Sequence, residues 1–384
     1  MPPLHILHCL RAPVGGLFRH VYDLAEEQAA MGHHVGVLCD SSTGDRLTAE
    51  RLARIEAVAT LGVHRTAMSR VVSHTDPTAL RCARRLAREL GCDVVHGHGA
   101  KGGVYARLAV RSNRRVGLDT YSFYTPHGGT LNYRPGSFAS RAFLAIEKRL
   151  LGITDGLCFE SQYAADKFDK LVGKPACTVG VIPNGVRPSE FTPHVPRSDA
   201  SDFVFLGEIR EVKGVDLLVD AIAALKESHG ATATVVGDGP LRETMIARAE
   251  EKGVAALMRW PGALPADVAF THGRNFVMPS RSESFPYVVL EAAAQGIPAL
   301  LTNVGGVAEM TEPGDRFLIV GGALPPLIEA MREALDAPRA LGERTLAFRE
   351  RVRTAFSTAG MAASIVDVYR TSIKRDATGL NAAA

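Results

Sequence analysis

Two glutamates stand eight residues apart in the segment Pro279-Ser280-Arg281-Ser282-Glu283-Ser284-Phe285-Pro286-Tyr287-Val288-Val289-Leu290-Glu291-Ala292-Ala293-Ala294-Gln295-Gly296. Pro286 suits the first turn of a helix and Gly296 suits its C-terminal cap. Glu283 then lies just ahead of the helix, beside the free backbone N–H groups of Ser284 and Phe285, at an end that attracts anions and hydroxyl oxygens. Glu291 lies about a turn and a half inside the same helix. Such a pair can grip two parts of an elongated ligand. The plainer alternative is one charge that complements the helix dipole and one surface glutamate.

Three further groupings carry chemical potential. In Gly207-Glu208-Ile209-Arg210-Glu211-Val212-Lys213-Gly214, Arg210 and Lys213 follow an apolar run, where two cations can clamp a diphosphate. Cations at a helix start are disfavoured by the dipole, which argues against simple solvated charges. Gly15-Gly16 follows the first apolar run and lets backbone N–H groups approach a phosphate or sugar, or else is an ordinary turn. His127, in Thr125-Pro126-His127-Gly128-Gly129, can donate a hydrogen bond to a substrate oxygen or move a proton, or else be an ordinary surface or cap histidine.

Other patterns argue against competing chemistries. Gly97-His98-Gly99-Ala100-Lys101-Gly102 fits the dinucleotide fingerprint but does not follow the first strand, and no acidic residue closes a strand at the expected distance. His96 and His98 form an H-x-H with no further ligand at a diagnostic spacing, so no metal site is expected. Gly173-Lys174 is followed by Pro175 and is no P-loop. There is no Asp-x-Asp to hold a divalent cation against a diphosphate, so Arg210 and Lys213 would have to supply that charge.

These residues need a frame to hold them, and 384 residues suggest two domains of ordinary size. Composition is that of a globular protein, 46% apolar and 22% charged. Apolar runs at 4–9, 35–39, 93–96, 116–121, 156–160 and 178–182 alternate with helical patterns, and a second series begins at Phe203. That alternation predicts α/β domains with parallel, doubly wound sheets, whose ligands bind at the carboxyl ends of strands. The expected division is a first domain over 1–190, a linker over 191–201, a second domain over 202–360 and a C-terminal helix and tail over 361–384. Six cysteines without a C-x-x-C pair fit buried thiols and a cytoplasmic address. No run is long enough to span a bilayer, and Met1–Leu10 has no basic leader. Net charge is +3, but residues 1–198 carry +8 and residues 199–384 carry −5. The basic half, with Arg81, Arg84, Arg85 and Arg88 on one side of a helix, suits an anionic membrane surface or an anionic substrate, or else is a solvated face.

Together these elements resemble the family 4 glycosyltransferases, the large retaining family with the GT-B fold. Glu283 to Glu291 matches the family's E-x7-E signature within PSRSESFPYVVLEAAAQGIPALLTNVGGVAE (279–309), with its GG-x-x-E ending at Glu309. GEIREVKG (207–214), VGDGP (236–240), IPNGV (182–186) and the Gly15-Gly16 loop fall in the expected order. Asn275 stands where many members have an acidic residue, and Ser284 where many have glycine. The resemblance implies two Rossmann-like domains facing across a cleft, with the C-terminal helix packing back on the first. It implies a metal-independent hexosyltransferase with no cofactor, whose donor is a nucleoside diphosphate sugar on UDP or GDP. The implied donor site is Gly15, Gly16, Arg210, Lys213, Glu283, Ser284, Phe285, Pro286 and Glu291. Glu291 would hold the ribose, Arg210 and Lys213 the diphosphate, and Glu283 the sugar hydroxyls. His127 would reach the O6 region of the sugar, and with Glu283, Arg210 and Lys213 forms the catalytic set. The acceptor would be a saccharide or lipid-linked saccharide of bacterial cell-surface polysaccharide synthesis, including lipopolysaccharide. The segment Tyr121–Arg149, with Tyr121, Tyr124, His127, Tyr133, Arg134 and Arg141, by its own residues suits a polyhydroxylated or lipid-linked partner, or else a solvated face. The enzyme would work in the cytoplasm or on the inner face of the plasma membrane, without nucleic acid partners. A sugar-nucleotide 2-epimerase on the same architecture and an NAD-binding enzyme are the alternatives.

Overall fold

Short apolar runs closed by glycine or polar loops become strands buried on both faces, as parallel sheets covered by helices require. The computed structural model describes residues 2–44, 46–128, 138–311, 318–320 and 322–378. The chain divides into two units, Met1–Asn184 with Thr358–Ala384, and Gly185–Ser357. Residues 191–200, rich in proline and polar groups, bond to the second unit, for example His194 N to the Gln295 carbonyl at 2.7 Å.

The first unit contains β1 (His5–Leu10), β2 (His34–Asp40), β3 (Gly62–Thr66), β4 (Val94–His98), β5 (Tyr121–Thr125), β6 (Gly156–Phe159) and β7 (Thr178–Val181). They form one parallel sheet in the order β3-β2-β1-β4-β5-β6-β7. The second unit contains β8 (Ser201–Leu206), β9 (Ala233–Val236), β10 (Met258–Gly262), β11 (Gly273–Met278), β12 (Ala299–Asn303) and β13 (Leu318–Val320). Their order is β10-β9-β8-β11-β12-β13. Both sheets start in the middle and wind outward, so the strand order reverses between β1 and β4 and between β8 and β11. The register sets His8 beside His96, and His98 beside Leu10 and Thr125.

Several expectations shift. The apolar run Val116–Tyr121 is not a strand. Residues 115–117 turn, with Gly117 at φ +83°, and β5 begins only at Tyr121, whose N–H bonds to the Asp93 carbonyl. The helix Arg46–Val58 and β3 are additional. β3 is a half-covered edge strand (GVHRT) without an apolar run to announce it. The helix Pro338–Ala355 reads as polar, yet Leu341, Thr345, Phe348 and Val352 recur at helical spacing and are buried.

The last helix, Thr358–Ala377, belongs to the first unit and packs on it, as expected. Tyr369 is fully buried, with its ring 4.5 Å from that of Phe123 and its hydroxyl 2.6 Å from His96 Nδ1. Ser372 Oγ donates to the Asp155 carbonyl at 3.0 Å. Residues 379–384 lie outside the described residues. Tyr369→Ala is expected to cost about 3–5 kcal/mol through the cavity it leaves, and Tyr369→Phe about 1–3 kcal/mol through an orphaned His96 nitrogen. Urea unfolding measures both, and near-equal values would show that packing carries little of the effect.

Candidate functional site

In the second unit the carboxyl ends of β8 and β11 release the two loops that carry the motif residues. The loop after β8 tightens into a 3-10 turn over Glu211–Lys213, and the loop after β11 runs through Pro279–Pro286. They meet side chain to side chain. Lys213 Nζ lies 2.7 Å from Glu283 Oε1, joining residues 70 positions apart, with 18% and 10% of the side chains exposed.

Arg281 locks the two loops together. Its guanidinium grips Asp216 with two bonds of 2.8 and 2.6 Å and donates to the Glu211 carbonyl, while its backbone N–H reaches the Val212 carbonyl at 2.7 Å. Burial alone would raise the Asp216 pKa, but Arg281 outweighs it and holds the carboxyl below its ordinary value. On the other side Gly305, at φ +61°, sits so close that a Cβ would come within 1.8 Å of the Glu283 carbonyl oxygen. Only glycine accepts both the conformation and the contact.

The other expected donor residues distribute as follows. Arg210 is half exposed and pairs with Glu208 at 3.2 Å, not with Glu283. Pro286 is the N-cap rather than the first helical residue, and the helix runs Tyr287–Gln295 with Gly296 as its left-handed cap. Ser284 and Phe285 therefore sit in the loop before the helix, and their N–H groups are not those of its first turn. The Ser284 carbonyl accepts from Gly306 N at 2.8 Å, and the Phe285 ring is buried 5.7 Å from Phe356. Glu291 is partly buried one turn into the helix. Asn275 donates to the Asp202 carbonyl at 3.0 Å and serves packing.

In the first unit Gly15 and Gly16 are exposed and open the helix Gly15–Ala30, with Gly15 at φ +69°. His127 follows β5 and is the one non-glycine residue with positive φ among the described residues, at +50°. That conformation is costly, so its surroundings must hold it. Its Nδ1 lies 2.6 Å from Glu160 Oε1 and its Nε2 3.1 Å from His98 Nδ1. Asn184 Nδ2 donates to Glu160 Oε1 at 3.3 Å, and Asn184 Oδ1 lies 2.9 Å from His20 Nδ1. The chain of contacts continues from His98 Nε2 to His8 Nδ1 at 3.0 Å and from His8 Nε2 to Gln28 Oε1 at 2.8 Å. Burial lowers the pKa of His8 to about 4 and that of His20 to about 3, so both rings are neutral at pH 7. Burial would raise Glu160, but the adjacent His127 ring outweighs it and brings the carboxyl to about 2.

Sequence reasoning missed Arg281, Glu160, His20, His8, Gln28 and Asn184. The available signals were a carboxylate closing the apolar run Gly156–Phe159, and the Asn184 of IPNGV (182–186). The H-x-H at 96–98 was noted, but its partners come from other strands. The glycines of 97–102 serve packing. A Cβ on Gly102 would come within 2.2 Å of the Cys9 carbonyl oxygen, so the helix seats directly on β1.

Of the residues expected to meet the acceptor, Tyr121 and Tyr124 are engaged elsewhere. Tyr124 is buried under the Arg107 guanidinium and donates to Glu147, which pairs with Arg107 at 2.9 Å. Tyr121 lies at the opposite end of β5 from His127. Gly129, Tyr133 and Arg134 fall outside the described residues. Arg81, Arg84, Arg85 and Arg88 are exposed on a helix, Asp76–Glu89, whose apolar side is buried. No helix among the described residues is long and apolar enough to cross a membrane.

The chain is similar to known proteins over nearly its whole length. Residues 14–190 match the model of Glycosyltransferase Family 4, and residues 186–354 match that of the Glycosyl transferases group 1. The glycogen synthase of Mycobacterium tuberculosis (strain H37Rv) is 29% identical over 93% of this chain and 91% of its own length. A GDP-mannose-dependent phosphatidylinositol monomannoside mannosyltransferase of the same organism is 30% identical over 59% of this chain and 64% of its own. Among solved structures, Anabaena HepE in complex with UDP-glucose superposes with a TM-score of 0.78 at 17% identity, over 96% of this chain and all of that one, a likeness of fold.

The Glu160 carboxyl predicts a pH dependence. Its pKa falls from 4.5 to about 2 on folding. A depressed carboxyl pKa stabilises the fold fully above the unfolded value, and that stability is lost as pH drops through the folded value. Urea unfolding should therefore show stability declining from about pH 4.5 towards about pH 2. Glu160→Gln should flatten this part of the profile, and an unchanged slope would assign the loss to other carboxylates.

Proposed function

The chain belongs to the family 4 glycosyltransferases of group 1 and has their GT-B fold, and from that premise we propose that it transfers a hexosyl unit from a UDP- or GDP-sugar with retention of configuration. The acceptor in this reading is a saccharide or lipid-linked saccharide of bacterial cell-surface polysaccharide synthesis. The observation that carries the reading is the Lys213–Glu283 contact at the strand-order reversal of the second sheet, where such sheets take their ligands. HepE, with the same fold, is known with UDP-glucose bound, which supports a nucleotide-sugar donor.

The residues divide the work by their chemistry. Lys213 and the exposed Arg210 neutralise the diphosphate as it leaves, so the transfer step needs no metal ion. Glu283 accepts hydrogen bonds from sugar hydroxyls and keeps Lys213 oriented until the diphosphate replaces it as partner. Glu291, one turn into its helix, accepts from the ribose hydroxyls. Gly15, Gly16 and the segment Ser284–Pro286 give backbone and shape contacts to the donor. In the first unit His127 hydrogen-bonds a hydroxyl of the transferred sugar. The departing phosphate takes the acceptor's proton on the face where the new bond forms, so the protein's share is positioning and charge stabilisation. The arginine face of Asp76–Glu89 holds the enzyme electrostatically to anionic lipid on the cytoplasmic side of the membrane.

The test is melting of the protein with UDP, GDP, ADP or NAD, followed by donor turnover. A ligand at 100 times its Kd adds about 2.7 kcal/mol. A shift with one of UDP or GDP, lost in Glu291→Ala, is expected, whereas a shift with NAD alone would overturn the reading. With the donor so identified, Arg210→Ala and Lys213→Ala should each cost ~2–4 kcal/mol in kcat/KM. A loss under about tenfold in both would remove them from the diphosphate. NMR of the product should show the donor's anomeric configuration, and product formed without any acceptor would indicate epimerisation.

A further inference from the structure

The histidines of the first unit pose a problem of proton counting. Gln28 Oε1, His8, His98, His127 and Glu160 Oε1 form a line with four successive contacts of 2.8, 3.0, 3.1 and 2.6 Å. Both ends of the line are acceptors, so four hydrogen bonds need four protons. With one N–H on each ring three imidazoles carry three, and a fourth proton or a cation completes the line. If His127 Nδ1–H donates to Glu160, His98 Nε2–H to His8 and His8 Nε2–H to Gln28, one contact is left without a proton. It is the 3.1 Å approach of His98 Nδ1 to His127 Nε2, where two lone pairs face each other.

A third histidine stands at this gap. His20, His98 and His127 each bring one ring nitrogen to within 4.8 Å of the other two. His20 is 1% exposed, its Nδ1 is engaged by Asn184 Oδ1, and its Nε2 has no hydrogen-bond partner among the described residues. The second histidine trio, His8, His96 and His98, lacks this property, because both His96 nitrogens are already engaged, by the Tyr369 hydroxyl and by Thr125 Oγ1.

We propose that His20 Nε2, His98 Nδ1 and His127 Nε2 form a site for a divalent transition ion, zinc by ligand type, and that the ion fills the place of the missing proton. Imidazole nitrogen suits zinc, and three such ligands leave a fourth position of the tetrahedron open. Each ring is held from behind, His127 by Glu160, His20 by Asn184, and His98 by His8, as metal-ligating histidines generally are. Burial keeps His20 and His98 in the neutral form that binds metal. The Glu160 carboxylate offsets part of the ion's charge. The site lies in the first unit, among residues that have no part in holding the diphosphate. Resting on the proposed role of His127, zinc and the sugar compete for its Nε2, so zinc inhibits transfer without being needed for it.

The test uses the full-length protein stripped with a chelator, dialysed, and titrated with cobalt(II). Stoichiometric appearance of the visible absorption of tetrahedral cobalt, displaced by zinc, is expected. His20→Asn and His98→Asn should abolish the absorption, Glu160→Gln should weaken binding about 10–100-fold, and His34→Asn, on the surface, should leave it unchanged. Melting curves verify that each variant is folded, and His20→Gln replaces His20→Asn should the latter unfold. Folded wild-type protein without the absorption, or absorption that survives loss of His20, would overturn the site. In a transfer assay zinc should inhibit the wild type and spare His20→Asn, and equal inhibition of both would overturn the competition. The cobalt titration needs no donor or acceptor, so it is answered even where the proposed transfer fails.

Discussion

The architecture rests on the reversal of strand order in each sheet. Because β1 and β8 lie in the middle of their sheets, the chain winds outward from them in both directions. Crossover helices cover both faces of a parallel sheet, so polar groups have little room except at strand ends. Where the winding reverses, the loops on either side diverge and leave those ends open. Lys213 and Glu283 occupy that place in one unit, and His98, at the end of β4, with His8, two residues before the end of β1, occupies it in the other. Gly102, with no room for a Cβ against the Cys9 carbonyl, brings its helix close enough to complete the second arrangement.

The two openings differ in electrostatics. In the second unit the opening holds an ion pair. Lys213 and Glu283 keep some contact with solvent. The rigid part lies behind the pair, in the two-pronged Arg281–Asp216 contact and the close seat of Gly305 under Glu283. In the first unit burial strips His8 and His20 of charge, and the carboxylate of Glu160 stays ionised because His127 and Asn184 hold it. Imidazoles in a row act through lone pairs and N–H groups. The positive φ of His127 shows that this row is imposed on the backbone by its neighbours. Arg107 and Glu147 illustrate the contrasting case of a fully buried pair, stacked on and bonded to Tyr124, whose place is in the core and not at a site.

What the sequence by itself determined is local. Alternating apolar runs and helical periodicity announced two α/β units. Gly296 marked a helix end, and the E-x7-E, Arg210 and Lys213 segments marked the loops that follow β8 and β11, because turn chemistry, capping and motif spacing act over a few residues. Where the local signal was thin it failed: β3 is a half-covered edge without an apolar run, and Pro338–Ala355 hides four buried residues among charges. Only the tertiary structure decided which of these residues meet. Lys213 reaches Glu283 across 70 positions, Arg281 ties their loops, and His8, His20, His98, His127 and Glu160 come together from separate βα units. Such contacts depend on strand order and register, which place distant strand ends side by side, and no periodicity within one segment carries that information.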